Sequence, residues 1–432
     1  MNTYLKLDTA MKSIITCGLL LLSMLLMSNS CDKNVDEIKE KATNETTDPL
    51  KIDLQGVEKL MVKSDQAFAF DFFSKVFDEE RNDMNGNFMV SPFSLSMALA
   101  MTWNGSEGDT RLAIQNTLGM GDWGDDEVNN YFKKLKEAFE RTDPSTELSI
   151  ANAIWTNKDI KIFPDFISLN QSYYNATVEA VDFGNPGTVG KINQWAFNST
   201  NGLIKQVISN TKPNDLMYLL NALYFKGIWT SEFKVKNTSK MDFTSYNGTQ
   251  TKVDMMHQET RYNYMDDETM QLVQLPYGNK AFSMIVLLPK EGKKLLDVTQ
   301  ALKSENYWNN LTNRMSNKKV DLFLPKFKTE YSKKLNDVLN DMGMGIAFTP
   351  DSADFSRMSN RGAFISMVSQ DTFIATDEVG TEAAAVTSVG VTVTSFPARD
   401  DKIVFKADKP FIYIIQEKSS GSVLFMGAIK KF

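Results

Sequence analysis

The order of its hydrophobic patterns constrains the fold of this chain most, because helical patterns come early and strand-like apolar runs come late. Phe72, Phe73 and Val76 lie at helical spacing, which predicts a first helix capped by Ser64 or Asp65. Ser91-Pro92 predicts the start of a second helix. Four apolar runs predict buried strands: 216–220, 282–288, 322–324 and 423–426. No linker rich in Pro, Gly or Ser follows residue 60, so the sequence predicts one α+β domain.

The scarcity of histidine and cysteine excludes most catalytic chemistry. The 432 residues include one His, His257, and two Cys, Cys17 and Cys31. General acid–base catalysis at neutral pH, thiol nucleophiles and zinc sites all depend on these two residue types. We therefore expect no enzyme activity, no metal and no cofactor, and we expect His257 to face solvent. The net charge of −7 argues against binding to nucleic acid.

The first 30 residues have the pattern of an export signal. Lys12 precedes an apolar run over residues 14–27, which is shorter than the ~20 residues of a membrane-spanning helix. Small residues run directly into Cys31, as in a bacterial lipoprotein signal, which implies removal of residues 1–30 and lipid attachment at Cys31. Residues 31–58 are polar and charged, which predicts a flexible tether. The expected location is the outer membrane or cell surface, with the periplasmic face as an alternative.

The composition of residues 381–396 suits a strand that can also be exposed to solvent as a loop. They contain no Pro and no charge except Glu382, and their side chains alternate in character with a period of two. Any half-buried strand shows such alternation, but an Ala-rich start is unusual because Ala and Gly are poor strand residues. Small side chains cost little where a sheet has to open for a new strand. One face carries small groups and then valines: Thr381, Ala383, Ala385, Thr387, Val389, Val391 and Val393.

Motifs distributed from about residue 60 to the C-terminus resemble those of the serpin family and stand in that family's order. Residues 377–387 are the most diagnostic, because they are similar to the hinge of an inhibitory reactive loop. The other matching segments are Asn87–Leu99, Gly105–Thr110, Asn221–Trp229, Leu275–Tyr277, Leu324–Phe327, Asp354–Ser356 and Lys409–Phe411.

The resemblance implies an α+β fold with three β-sheets, eight or nine helices and an exposed reactive centre loop at about 378–400, within a single domain over 59–432. It also implies a suicide mechanism, in which a protease cleaves the loop and the loop then inserts into the central sheet while the enzyme is still acylated. The implied hinge residues are Glu378, Gly380, Thr381, Glu382, Ala383, Ala384 and Ala385. We expect a monomer that forms loop-sheet polymers on heating, because an exposed strand-like segment promotes aggregation.

Counting from Gly380 as in serpin loops places the scissile bond at Thr394-Ser395, whereas counting back from Lys409-Pro410-Phe411 places it about two residues later. Val393 is a secondary site, whereas Phe396 competes poorly because Pro397 follows it. A β-branched residue before the cut suits elastase-like or subtilisin-like serine proteases, and papain-like cysteine proteases that recognise Val393 remain an alternative. The alternative function is a non-inhibitory serpin that acts as a binding or chaperone-like protein.

The resemblance also assigns residues to the machinery that opens the sheet. Ser91, Ser94 and Asn221 belong to the shutter, together with Gln370, which stands where the family usually has a His. Trp229 lies in the breach at the top of the sheet, where Lys326 is expected to pair with Glu378.

Overall fold

The structure is a computed structural model that describes residues 48–81, 86–304, 306–381 and 402–432. These residues belong to one compact unit that extends from Asp48 to Phe432. The predicted signal, Cys31 and loop residues 382–401 lie outside the described residues. Within the described ranges, no helix combines the length and the apolar character needed to cross a membrane.

Nine α-helices occur in the described ranges, in agreement with the predicted count. Most of them lie before residue 200, as the sequence pattern predicts. They are α1 (Glu58–Glu80), α2 (Pro92–Gly105), α3 (Gly108–Thr117), α4 (Asp125–Phe139), α5 (Pro164–Tyr174), α6 (Gly187–Ser199), α7 (Leu295–Leu302), α8 (Tyr307–Arg314) and α9 (Asn336–Leu339).

The two helix starts predicted from the sequence have different outcomes. The side chain of Ser91 accepts a hydrogen bond from the Ser94 backbone at the start of α2, and Pro92 is the first helical residue, as predicted. The predicted cap of α1 is wrong, because this helix begins at Glu58 and the half-buried Asp65 lies within it. The helix extends further because its N-terminal turn packs Met61 and Val62 into the core.

The described ranges contain fifteen strands, and all four apolar runs predicted as strands fall on them. The strands are β1 (Phe88–Val90), β2 (Thr146–Asn157), β3 (Thr177–Val181), β4 (Met217–Ile228), β5 (Ser239–Thr244), β6 (Gln250–Asp266), β7 (Met270–Pro276), β8 (Phe282–Pro289), β9 (Ser316–Pro325), β10 (Phe327–Lys334), β11 (Met367–Thr376), β12 (Gly380–Thr381), β13 (Ile403–Lys406), β14 (Phe411–Glu417) and β15 (Val423–Ile429).

The strands form a six-stranded central sheet and a larger nine-stranded network. The order of the central sheet is β10-β11-β12-β4-β2-β3, and β11 also pairs directly with β4. The order of the second network is β1-β15-β14-β8-β7-β6-β9-β13, with β5 added beside β6. Because the long strand β6 pairs with β5 at its start and with β7 at its end, it joins two sheet regions. The predicted α+β class with several sheets is confirmed.

Each face of the central sheet is covered by its own hydrophobic layer. The main core lies on one face and includes α2, where Leu95, Leu99 and Met101 are fully buried. The second layer lies on the other face, where Ile192 and Ala196 of α6 belong to one cluster with Ala222 of β4. Adding a strand to this sheet therefore requires a seam between two packed layers to part.

Part of the predicted flexible tether is packed against the domain. Ile52 and Leu54 are each only 7% exposed. The Ile52 backbone N–H donates to Ser419 Oγ at 2.9 Å, and Thr142 Oγ1 donates to the Leu50 carbonyl at 2.8 Å. The tether prediction is therefore wrong for Ile52 and Leu54, whose apolar side chains pack against the domain, whereas the side chain of Leu50 is exposed.

The prediction that His257 faces solvent is met only in part. His257 lies on β6 opposite Phe323 of β9, and the two rings stack with centroids 4.4 Å apart. His257 Nε2 lies 2.6 Å from Asp321 Oδ1. Through these two contacts His257, the only His in the sequence, is a structural residue of this sheet, while 34% of its side chain remains exposed.

Candidate functional site

Strand β12, the shortest of the central sheet, lies between β11 and β4. We call the line along which β11 and β4 pair directly the seam, and the end of this line at β12 its upper end. Thr381 of β12 pairs antiparallel with Thr376 of β11 and with Gly227 of β4. Below this point β11 and β4 pair directly and in parallel, from Met367 to Phe373 on the β11 side. The two residues of β12 therefore lie between strands that are joined to each other over the rest of their length.

The sequence after β11 turns the chain back into this position. Asp377 Oδ1 accepts hydrogen bonds from the backbone N–H groups of Val379 and Gly380, at 2.9 and 3.2 Å. Such an Asx turn reverses the chain within a few residues. Gly380 is required on steric grounds, since a Cβ atom at this position would lie 2.1 Å from the Gly227 carbonyl oxygen.

Thr381 is held in the sheet by its side chain as well as by its backbone. It is completely buried, and its Oγ1 lies 2.6 Å from the hydroxyl of Tyr277. Burial raises the pKa of Tyr277, so this hydroxyl stays neutral at physiological pH. The hinge position 381 therefore accepts a small hydroxyl residue and has no room or partner for a charge.

Trp229 lies at the upper end of the seam, where the resemblance places the breach. Its ring stacks on Tyr277 with centroids 4.5 Å apart. Its Nε1 donates to the Asp377 carbonyl at 2.9 Å, and its backbone N–H donates to the Val379 carbonyl at 2.8 Å. This one side chain thus contacts both the turn that leads into β12 and the partner of Thr381.

Lys326 and Glu378 are paired beside this turn, with Nζ and Oε2 2.8 Å apart. Glu378 is 7% exposed, and Thr238 Oγ1 also donates to its carboxylate at 2.7 Å. Burial alone raises the pKa of Glu378, but the hydrogen bonds from Lys326 and Thr238 outweigh it and hold the pKa below its ordinary value. The pair fixes the turn before β12 to the junction between β9 and β10.

Gln370 is the centre of a buried polar cluster halfway along the seam. Its Oε1 accepts from the Ser91 backbone N–H at 2.8 Å, and its Nε2 donates to the Ser91 carbonyl at 2.9 Å and to Asn221 Oδ1 at 2.7 Å. Asn221 Nδ2 in turn donates to Ser94 Oγ and, at 2.6 Å, to Asn152 Oδ1. The cluster therefore joins α2 to β11, β4 and β2 across the seam.

The sequence analysis identified most of the described site and missed three of its residues, Asn152, Tyr277 and Thr238. Asn152 is a buried amide within an apolar strand, and this contrast was a usable signal. Tyr277 belongs to a motif that carries the family resemblance, but no role was assigned to it. No sequence signal marks Thr238 as a partner of Glu378.

Several predicted site residues fall outside the part of the chain that the structure describes. They are Glu382, Ala383, Ala384, Ala385, Val393, Thr394, Ser395, Phe396 and Cys31. Their roles remain predictions.

The described site thus defines a class of protein whose central sheet holds the first residues of an additional strand. The family described as Serpin (serine protease inhibitor) matches residues 63–431. An uncharacterized serpin-like protein of Thermococcus kodakarensis is 35% identical over 377 residues, which cover 86% of each chain. The human leukocyte elastase inhibitor is 32% identical over 83% of this chain and 96% of its own length.

A solved structure supports the same assignment. The crystal structure of the thermophilic serpin tengpin in its native state superimposes with a TM-score of 0.80 and 30% identity, and the match covers 89% of this chain and 98% of tengpin. The chain belongs to the serpin family, whose members are protease inhibitors rather than enzymes.

Proposed function

We propose that this protein is an inhibitory serpin that traps a serine protease by inserting its cleaved loop into the seam between β11 and β4. The protease cuts at about Thr394-Ser395, and the residues after Thr381 then extend β12. The observation that carries this proposal is the position of β12, which is already antiparallel to both neighbouring strands.

The register of β12 with β11, that of β12 with β4 and that of β11 with β4 are mutually consistent. When the pairing of β12 is continued along the loop, Thr387 falls opposite Gln370 of β11 and opposite Asn221 of β4. Gln370 and Asn221 are already direct partners across the closed seam. Lengthening β12 therefore requires β11 and β4 to separate sideways and requires no slip of one strand along the other.

The same register assigns the loop side chains to the two faces of the sheet. Odd-numbered residues share the face of Thr381, which contacts Tyr277 in the main core. Thr387 then takes a position between Gln370 and Asn221, where its hydroxyl can replace the hydrogen bond that the two amides lose. The valines at 389, 391 and 393 follow on the apolar face.

The length of β4 supports the predicted cleavage site. In the continued register the first residue of β4, Met217, stands opposite Val391. A cut after Thr394 leaves three residues between the inserted strand and the acylated enzyme, so the enzyme is pulled against the end of the domain. A cut after Arg399 leaves eight residues, which slackens the connection.

The residues around the cut indicate the protease class. Thr394 and Val393 are small or β-branched, which suits the shallow apolar pockets of elastase-like and subtilisin-like enzymes. Papain-like cysteine proteases that recognise Val393 are the alternative target.

A denaturing gel after mixing with elastase or subtilisin tests the proposal. We expect a denaturation-resistant complex, whereas clean cleavage without a complex supports the alternative of a non-inhibitory binding or chaperone-like serpin. Thr381→Arg is expected to be cleaved without trapping the enzyme, because it places a charge at a fully buried hinge position. Thr381→Ser keeps the hydroxyl and serves as the matched control that still forms the complex.

We propose in addition that Cys31 carries a lipid that anchors the inhibitor to the outer membrane or cell surface. The apolar run that ends just before Cys31 supports this location. Mass spectrometry of the mature N-terminus is expected to find acylated Cys31, and Cys31→Ala is expected to leave the protein in the soluble fraction. An unmodified Cys31 contradicts the anchor and leaves the inhibitory mechanism untouched.

A further inference from the structure

Asp371 lies directly on the seam, one residue after Gln370, and its side chain points to the opposite face of the sheet. Its direct partner across the seam is Ala222 of β4. Ala222 belongs to the hydrophobic layer that α6 covers on this face. Asp371 is only 3% exposed, so an acidic group is enclosed where two strands have to part.

The surroundings of Asp371 supply hydrogen bonds but no countercharge. Ser369 Oγ lies 3.3 Å from Asp371 Oδ2, and Ser332 of β10 stands directly opposite Asp371. A cavity of about 380 Å³ adjoins the carboxyl and separates β10 and β11 from the segment that follows α6. Burial raises the pKa of Asp371 to about 7.

Charged groups of β10 and of the segment after α6 lie on this side of the sheet. Glu330 of β10 and Lys205 of the segment after α6 line the cavity. Lys334 of β10 stands opposite Ser369. The layer on the β4 side contributes Leu220 and Ala222, which are apolar. Asp371 takes part in no ion pair with any described residue within 4.0 Å.

We propose that Asp371 makes the opening of the central sheet sensitive to pH, with the protonated carboxyl favouring the closed seam and the ionised carboxyl favouring the open one. This inference rests on the proposed function, because it concerns the seam that receives the loop. When β4 moves away from β11, water reaches the carboxyl and the cost of burying its charge disappears.

The direction in which pH changes the opening of the seam follows from proton linkage. Closed sheets hold the proton more tightly than open ones, so raising the pH through the closed-state pKa shifts the equilibrium toward opening. If the open seam restores the ordinary pKa of 3.8, the opening equilibrium rises by up to about 30-fold between pH ~5.5 and ~8.5. Above about pH 7 the carboxyl is ionised in both states, and below about pH 4 it is protonated in both states, so the dependence levels off outside these limits.

A synthetic peptide with the sequence of residues 382–392 is a direct probe of the open seam, because the protein's own Thr381 already occupies the preceding position. In the continued register this peptide places Val386 between Asp371 and Ala222. The rate of peptide uptake by the intact protein, followed on native gels, is expected to rise 10- to 30-fold from pH ~5.5 to ~8.5. Asp371→Asn is expected to abolish this rise, since an amide of the same shape does not titrate.

Asp65→Asn is the matched control, because burial also raises the pKa of Asp65 to about 7 but this residue lies in α1, away from the seam. It is expected to keep the wild-type pH dependence of peptide uptake. A wild-type uptake rate that does not change with pH, or an equal slope in Asp371→Asn, overturns the inference. Formation of the protease complex is measured on the same samples. If the complex forms but the rate of peptide uptake does not change with pH, only the role of Asp371 is refuted. Absence of both complex and uptake at every pH refutes the proposed function together with this inference.

Discussion

Replacing Gln370 by Leu removes the polar link that joins α2 to both strands of the seam while it keeps a side chain of similar volume. Three buried groups lose their partner: the backbone N–H and carbonyl of Ser91 and the Oδ1 of Asn221. Each unsatisfied buried group costs roughly 1–3 kcal/mol, and partial relaxation reduces the sum, so we expect a loss of about 3–6 kcal/mol in stability.

The loss is expected to appear in two measurements. The first is the midpoint of urea unfolding, followed by tryptophan fluorescence, which falls together with the free energy of unfolding. The second is the formation of polymers on heating, which we expect to begin at a lower temperature, because the bond between Gln370 and Asn221 crosses the seam.

Gln66→Leu separates a general loss of stability from a specific effect on the seam. Gln66 is also buried and donates to the Gly421 carbonyl at 2.7 Å, but it lies in α1 and does not contact the central cluster. We expect it to lower the unfolding midpoint without accelerating peptide uptake. If Gln370→Leu lowers the free energy of unfolding by less than about 1 kcal/mol, or if both variants accelerate peptide uptake equally, the assignment of Gln370 to the shutter is refuted.

Two further predictions concern buried carboxyl groups. Lys326→Met leaves Glu378 with Thr238 as its remaining side-chain donor, so we expect a loss of about 1–3 kcal/mol in thermal unfolding at pH 7. Because the folded-state pKa of Glu378 is lowered, its contribution is present above the unfolded pKa and disappears as the pH falls through the folded value; an equal loss at pH ~3 contradicts this. Asp65, whose folded-state pKa is raised to about 7, has the opposite sign, so wild-type stability is expected to decline from about pH 4 to pH 7. Asp65→Asn is expected to flatten this decline in a series of unfolding midpoints, and unchanged slopes count against it.

The sequence was informative where a pattern has one physical meaning. Ser91-Pro92 specified a helix start, and the long apolar run at 282–288 specified a buried strand, because each depends on local chemistry. The charged pair of Lys326 and Glu378 followed from resemblance, and it lies across 52 positions of sequence that local patterns do not relate.

The sequence was uninformative where burial depends on distant elements. Asp65 and Asp371 are acidic residues, and nothing in the neighbouring sequence distinguishes them from fully solvated carboxylates. Their enclosure depends on helices and strands that pack against them from elsewhere in the chain. For the same reason the packing of Ile52 and Leu54 was missed, since the surface that covers them includes the turn at Ser419.

The position of β12 has a kinetic consequence. Starting a strand between two others is the costly step, because the first pairs fix residues and close a loop before later pairs add stability. Gly380 and Thr381 have already made those first pairs. In the proposed mechanism only elongation then remains after cleavage, and it competes with the attack of water on the acyl bond. Under that proposal an early start shifts the partition toward retained enzyme and away from a spent inhibitor, so fewer inhibitor molecules are consumed for each protease stopped.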